Sequence, residues 1–304
     1  MKQANGPYIF NSISELHRAL GLPAPLHPLV SLVDYGDVQT DTADIAKGMI
    51  LNFYKVSYKK NFKGKIKYGQ HYYDFDEGGL SFFAPGQLIT AAAEDADYGG
   101  YTLLFHPDLI REHPLGRNIK SYGFFSYSVA EALYLSGKEK DILVGIFKNI
   151  ALELHSAIDH FSWEVMVAQI DLLLSYSKRF YNRQFITRKV AGNDLLTNFE
   201  LLLSGYFDTE QGLSAGLPTV QQLADKLHVT PHYLGDMLRS VTGQNTRQHI
   251  HGRLVEKAKE LLSTTTLSVA EVAYTLGFEH PQSFSKLFKQ KVKLSPVEFR
   301  QSFN

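Results

Sequence analysis

Five side chains near the C-terminal end, Gln282, Ser283, Ser285, Lys286 and Lys289, place one amide, two hydroxyls and two ammonium groups on the outward side of a helix that opens at Pro281. Such groups can read nucleic acid. A glutamine amide pairs bidentately with adenine, a lysine reaches O6 or N7 of guanine, and serine hydroxyls serve base edges or phosphates. A second outward-facing set, His232, Gly235, Asp236 and Arg239, lies on an earlier helix that opens at Pro231. Elsewhere no nucleophile–base pair and no phosphate-binding loop stands out, so the residues point away from an enzyme. The bulk charge says nothing: 31 basic and 31 acidic residues cancel. From Pro218 onward, however, 11 Lys and Arg face 7 Asp and Glu, a surplus of four that suits neutralising a few phosphates.

The elements that would hold these side chains are two helix-turn-helix units in tandem. In the first, Leu223, Ala224 and Leu227 share one helical face, Val229 closes the turn, Thr230 is the N-cap, and Pro231 takes the first helical position. Leu234 and Leu238 then form the buried side of the second helix. In the other unit, Ser268 and Glu271 form a capping box, and Val269, Val272, Ala273 and Leu276 supply the apolar face. Gly277 suits a turn with positive φ, and Phe278 plugs the angle ahead of a helix that buries Phe284, Leu287 and Phe288. Between the units, Ile250, Leu254, Ala258, Leu261 and Leu262 keep helical spacing. A connecting helix of about 17 residues spans roughly 25 Å. It would let the two outward-facing helices meet successive major-groove segments about 34 Å apart.

The motifs LAxxLxVTPxYL (Leu223 to Leu234), TGQN (Thr242 to Asn245), SVAEVAYTLGF (Ser268 to Phe278), FSKLFK (Phe284 to Lys289) and SPVEFR (Ser295 to Arg300) follow one another in order. With the Leu254–Ala258–Leu261–Leu262 run, this stretch resembles the DNA-binding domain of the AraC/XylS transcription regulators. The resemblance implies base-reading roles for His232, Asp236, Gln282, Ser283, Ser285 and Lys286. Thr230, Arg239, Arg247 and Lys289 are expected at phosphates. Asp236 departs from the family pattern, where a donor is common, and stands open between a reader of cytosine N4 and a structural partner of Arg239. The implied partners are double-stranded promoter DNA, RNA polymerase, a small-molecule effector and a second copy of the chain.

Ahead of this region, residues 30–120 alternate β-branched and aromatic residues between Gly, Asp and Pro turns, the pattern of a small barrel or jelly roll. They resemble the cupin-like sensor domain that AraC relatives carry. Cupin metal chemistry is not expected, because His71 stands alone and no further histidine follows Pro85–Gly86 until His106. No cofactor is implied. Phe53, Tyr54, Tyr58, Tyr68, Tyr72 and Phe82 are read either as core or as the lining of an effector pocket. From Ser126 to about Ala191 the pattern is helical, with capping boxes at Ser128–Glu131 and Ser136–Glu139. The family resemblance implies that a helix carrying Trp163, Val165, Ile170, Leu173 and Leu174 pairs with its copy in a dimer.

The fold expected is thus α+β. A cupin-like domain (1–125) is followed by a helical dimerisation region (126–207), a linker (208–217) and an all-α DNA-binding domain (218–304). With no apolar run that could span a membrane and no signal-peptide pattern at the start, a cytoplasmic location is expected. The alternative reading is an effector-independent DNA-binding protein whose barrel serves only to dimerise.

Overall fold

The computed structural model describes residues 7–38, 48–61, 65–68, 71–74, 79–89, 99–128, 131–156, 161–190, 195–208 and 216–302. They divide into two compact units, Met1–Gln184 and Phe185–Asn304.

The N-terminal unit is built on a five-stranded antiparallel sheet ordered β10-β7-β4-β9-β2, from Leu133–Tyr134, Gly79–Phe83, Tyr54–Asn61, Gly99–Phe105 and Val30–Asp34. A three-stranded sheet joins β1 (Tyr8–Phe10), β3 (Met49–Leu51) and β8 (Leu88–Ile89), and β5 (Lys65–Tyr68) pairs with β6 (His71–Asp74) as a hairpin. Among the described residues the strands form these separate sheets, not one closed barrel. Strand periodicity gives the large sheet two faces. Val33, Phe83 and Leu104 turn toward the small sheet and meet Phe10, Leu51, Phe53 and Ile89, with Ile13 and Leu16 of α1 (Ile13–Ala19), in one buried cluster.

The opposite face is covered by helices; two short ones, α2 (Pro107–Ile110) and α3 (Pro114–Asn118), follow β9 in the chain. Tyr58 stacks on Phe147 of α4 (Gly137–His155) with ring centroids 6.3 Å apart, and Phe82 lies 4.4 Å from Phe124. This packing answers the expectation of an aromatic pocket. Phe53, Tyr58 and Phe82 are buried as core, and Tyr54 is held between the rings of Phe105 and Phe125. Tyr68 and Tyr72 pair within the β5–β6 hairpin, where Tyr72 stands opposite Lys67 and Tyr68 opposite His71. Their side chains lie outside the described residues.

Ser136 and Glu139 form the expected capping box of α4. At the other expected box Glu131 accepts from the Ser128 N–H; residues 129–130 lie outside the described residues, and β10 follows. The next helix, α5 (Ser162–Val190), buries Ile170, Leu173 and Leu174 completely. These three therefore belong to the unit's own core and cannot form a dimer seam, which corrects the sequence expectation. Trp163 donates its indole N–H to the Leu109 carbonyl at 2.8 Å. Exposed along the same helix are Val165 and Leu172, with Phe161 just before it.

The C-terminal unit begins earlier than expected. Helix α6 (Leu195–Asp208) packs on α9 (Thr246–Thr264) and fully buries Phe199 and Phe207. It belongs to this unit because its apolar face has that core to cover. Of residues 208–217, expected to link two domains, 209–215 lie outside the described residues. Where the chain reappears, the Tyr206 hydroxyl donates to the Gly216 carbonyl at 2.8 Å.

The remaining helices repeat one plan. α7 (Val220–Lys226) and α8 (Pro231–Thr242) form the first helix-turn-helix, and α10 (Val269–Thr275) and α11 (Pro281–Val292) the second, with α12 (Pro296–Gln301) closing the chain. Both turns satisfy the end of the first helix identically. Val229 N–H donates to the Ala224 carbonyl at 3.1 Å, and Phe278 N–H donates to Ala273 at 3.0 Å. The residue before each is left-handed: His228 at φ 56° and Gly277 at φ 82°. Gly277 is also required by space, since a Cβ there would lie 2.7 Å from the Gly216 carbonyl carbon.

A non-glycine residue in this conformation costs on the order of 1–2 kcal/mol. His228→Gly is therefore expected to raise unfolding stability by roughly 1 kcal/mol, after allowing for glycine's greater chain entropy. Gly277→Ala is expected to lower it by more than that. Denaturant melts check both, and an unchanged or lowered midpoint for His228→Gly would contradict the strain argument.

Candidate nucleic-acid interface

The two outward-facing helices owe their orientation to what they bury. α8 buries Tyr233, Leu234, Met237 and Leu238, whereas α11 buries Phe284 and Phe288. The opposite face of α11 leaves Gln282, Ser283, Lys286 and Lys289 exposed and Ser285 half-buried, as the periodicity predicts. Leu287 is only half-buried. On α8, His232 is exposed and Asp236 is half-buried. Gly235 does not face outward with them: a Cβ there would lie 3.8 Å from Thr246 Oγ1, at the start of α9.

Asp236 accepts from Arg239 Nη1 at 3.1 Å. The two form an ion pair one turn apart on the same helix. Thr230 is the N-cap of α8, where its Oγ1 accepts from Tyr233 N–H at 3.2 Å. The two helix starts differ, since His280, at the N-cap of α11, makes no side-chain cap bond. Its first-turn N–H groups thus lack the cap that α8 has.

Sequence reasoning missed a positive group that α9 and α11 build together. Arg247 is exposed near the start of α9. Burial lowers the pKa of His251 below the ordinary imidazole value, and the nearby charges of Lys291 and Arg247 lower it further. The TGQN motif carried a signal for a second missed residue. His249 Nε2 meets Thr242 Oγ1 at 2.8 Å and its ring lies edge-on to Phe199, 5.5 Å between centroids. Burial pushes its pKa down, against the opposing pull of Glu200. His249 is thus a neutral tie among α6, α8 and α9 and not a phosphate contact.

A family profile described as a helix-turn-helix domain matches residues 223–302. Over 82 residues the chain is 37% identical to YisR of Bacillus subtilis strain 168, an uncharacterized HTH-type transcriptional regulator, covering 27% of this chain and 29% of that one. Over 81 residues it is 31% identical to the xylose operon regulatory protein of Escherichia coli K12, covering 27% and 21%. The match therefore spans under a third of the length of these relatives. Among solved structures, the DNA-binding domain of AdpA in complex with a target DNA is similar at 25% identity, with a TM-score of 0.31, covering 36% of this chain and 91% of that one. No helix among the described residues is long and apolar enough to cross a membrane.

The exposed side chains separate into two kinds by what their loss should do. Gln282→Ala is expected to cost about 1–3 kcal/mol on a preferred duplex and little on an unrelated one. Lys289→Ala should weaken both alike and reduce the salt dependence of log K by about one. Fluorescence anisotropy titrations over a salt series measure both, and equal losses on all duplexes for Gln282→Ala would remove it from base reading.

Proposed function

We propose that the chain is a sequence-specific, DNA-binding transcription regulator of the AraC type, a reading supported by the helix-turn-helix profile that matches residues 223–302. The observation that carries this reading is the duplicated plan of α7–α8 and α10–α11. Each pair buries one side and leaves hydrogen-bonding groups on the other, and both are joined by the single helix α9. In this reading Gln282, Ser283, Ser285 and Lys286 contact bases, with His232 the reader on α8. Arg239, Arg247, Lys289 and Thr230 contact phosphates, and Asp236 positions Arg239.

The N-terminal unit is read as the part that receives a small-molecule signal. A double-sheet core with a polar inner side, in the place of a cupin-like sensor domain, supports this. Binding there would favour one arrangement of the DNA-binding unit over another and so change affinity for promoter DNA. RNA polymerase is the partner through which such a change would reach transcription.

Self-association is read on the exposed side of α5 and the residue before it. Phe161, Val165 and Leu172 are 67%, 41% and 44% exposed, and their spacing puts them in one stripe. A second copy laid against that stripe would cover all three.

The regulatory reading is tested by removing the chain from its host and sequencing the transcripts. Genes whose promoters the purified chain captures from genomic DNA should change expression; capture without change would sink the regulatory role. For the dimer, Leu172→Lys is expected to convert the chain to a monomer in sedimentation without lowering its melting temperature. Leu173→Ala should instead cost about 2–5 kcal/mol of stability and leave the assembly state alone. A Leu172→Lys protein that stays dimeric would move the interface elsewhere.

A further inference from the structure

The inner face of the five-stranded sheet carries polar groups that DNA binding does not use. Alternate residues of a strand share a side, so β4 places Lys55, Ser57 and Lys59 together on that face. The register sets Ser57 between Ser81 of β7 and Thr102 of β9, and it sets Lys59 between Gly79 and Gly100. Ser57 and Thr102 are buried, with their hydroxyl oxygens 3.1 Å apart. Tyr35, in the 3₁₀ turn Tyr35–Asp37 that follows β2, hydrogen-bonds to both. Lys59 Nζ stands 5.6 Å from the centre of the Tyr35 ring, and Lys55 Nζ stands 5.7 Å from that of Phe83.

Two features make this more than a polar patch. First, both strands flanking Lys59 place a glycine beside it, so neither neighbour adds a side chain to this face next to Lys59. Gly100 is fixed by its backbone, with φ at 130° and a would-be Cβ only 2.2 Å from the Tyr58 carbonyl oxygen. Second, the local field is positive. Burial by itself would raise the Tyr35 phenol, yet the ammonium groups of Lys55 and Lys59, with the hydrogen bonds of Ser57 and Thr102, bring it down to about 8. Lys59 is likewise lowered to about 8, by burial first and then by Lys55, against the pull of Tyr35. A phenol that ionises more readily despite burial marks a point where negative charge is stabilised.

We propose that this cluster is an anion-binding site, in which Lys55 and Lys59 hold the carboxylate or phosphate group of a small organic molecule and the Tyr35 hydroxyl, itself held by Ser57 and Thr102, donates to its oxygens. The inference deepens the reading of the N-terminal unit as the signal receiver and rests on it for any effect on DNA. It also moves the candidate ligand surface away from Tyr54, Tyr58 and Phe82, which belong to the opposite, helix-covered face.

The test is isothermal titration calorimetry of the intact chain with malonate, inorganic phosphate and the neutral isostere malonamide, each at millimolar concentration. Malonate or phosphate is expected to bind and malonamide is not; which of the two binds identifies the head group. Lys55→Gln and Lys59→Gln should each weaken that binding by about tenfold or more, roughly 1.4 kcal/mol. Lys59→Arg, which keeps the charge, should retain most of it. Melting curves of the variants check that they fold. Binding of neither anion, equal binding of malonamide, or glutamine variants that bind as tightly as the parent would each overturn the site. DNA affinity is measured with and without the anion in the same samples. Anion binding that leaves DNA affinity unchanged would uphold the site while removing its role as the effector site.

Discussion

The C-terminal unit depends on the burial of one side of α9. Ile250, Leu254, Val255, Ala258 and Leu262 are buried along it, and helices α6, α8, α10, α11 and α12 all pack against it. At 19 residues it is about 28 Å long, enough to carry two helical heads without a hinge between them. Ala258 is fully buried, so a larger side chain there would have to push neighbouring helices away. The end of α9 is tied as well: Arg300 Nε donates to the Leu262 carbonyl at 3.1 Å, which explains the arginine that ends SPVEFR. This shared helix holds the outward faces of α8 and α11 in a single body.

The N-terminal unit is governed by a different choice, namely which face of the central sheet the helices cover. In β4 the apolar and aromatic residues Tyr54, Val56 and Tyr58 alternate with Lys55, Ser57 and Lys59. The helical side took the first set. The second set faces the small sheet and α1, where apolar contacts end at Val33, Phe83 and Leu104 and hydroxyls begin at Ser57 and Thr102. A sheet with an apolar outer face and a partly polar inner one is the reverse of a simple filled barrel. It leaves hydroxyl and ammonium groups on the inner side of the sheet.

Much of the C-terminal unit was legible in the sequence because its signals are local. Capping boxes at Ser268–Glu271 and Ser295–Glu298, prolines at the first turns of α8 and α11, and the apolar spacing each specify their own helix. The exposure of Gln282, Ser283, Lys286 and Lys289 then followed from periodicity alone. What failed required knowing which partner an element would choose. The spacing of Ile170, Leu173 and Leu174 is the same for a helix packing on its own core as for one packing on a copy. The short helix α6 gave no hint that Phe199 and Phe207 would be buried with the C-terminal helices. Period-two alternation in β4 sorted residues onto two faces but did not say which face α4 and α5 would cover. The left-handed turn at His228 was hidden because the residue is not glycine.

The central claim is that two rigidly joined helices read adjacent stretches of one duplex. Selection of DNA by the purified intact chain from a random pool, repeated with Lys286→Ala, tests it most directly. The account predicts a two-part site whose halves lie about one helical turn apart, with only one half degraded by the substitution. Recovery of sequences with no shared pattern, or a pattern that Lys286→Ala leaves intact in both halves, would contradict it.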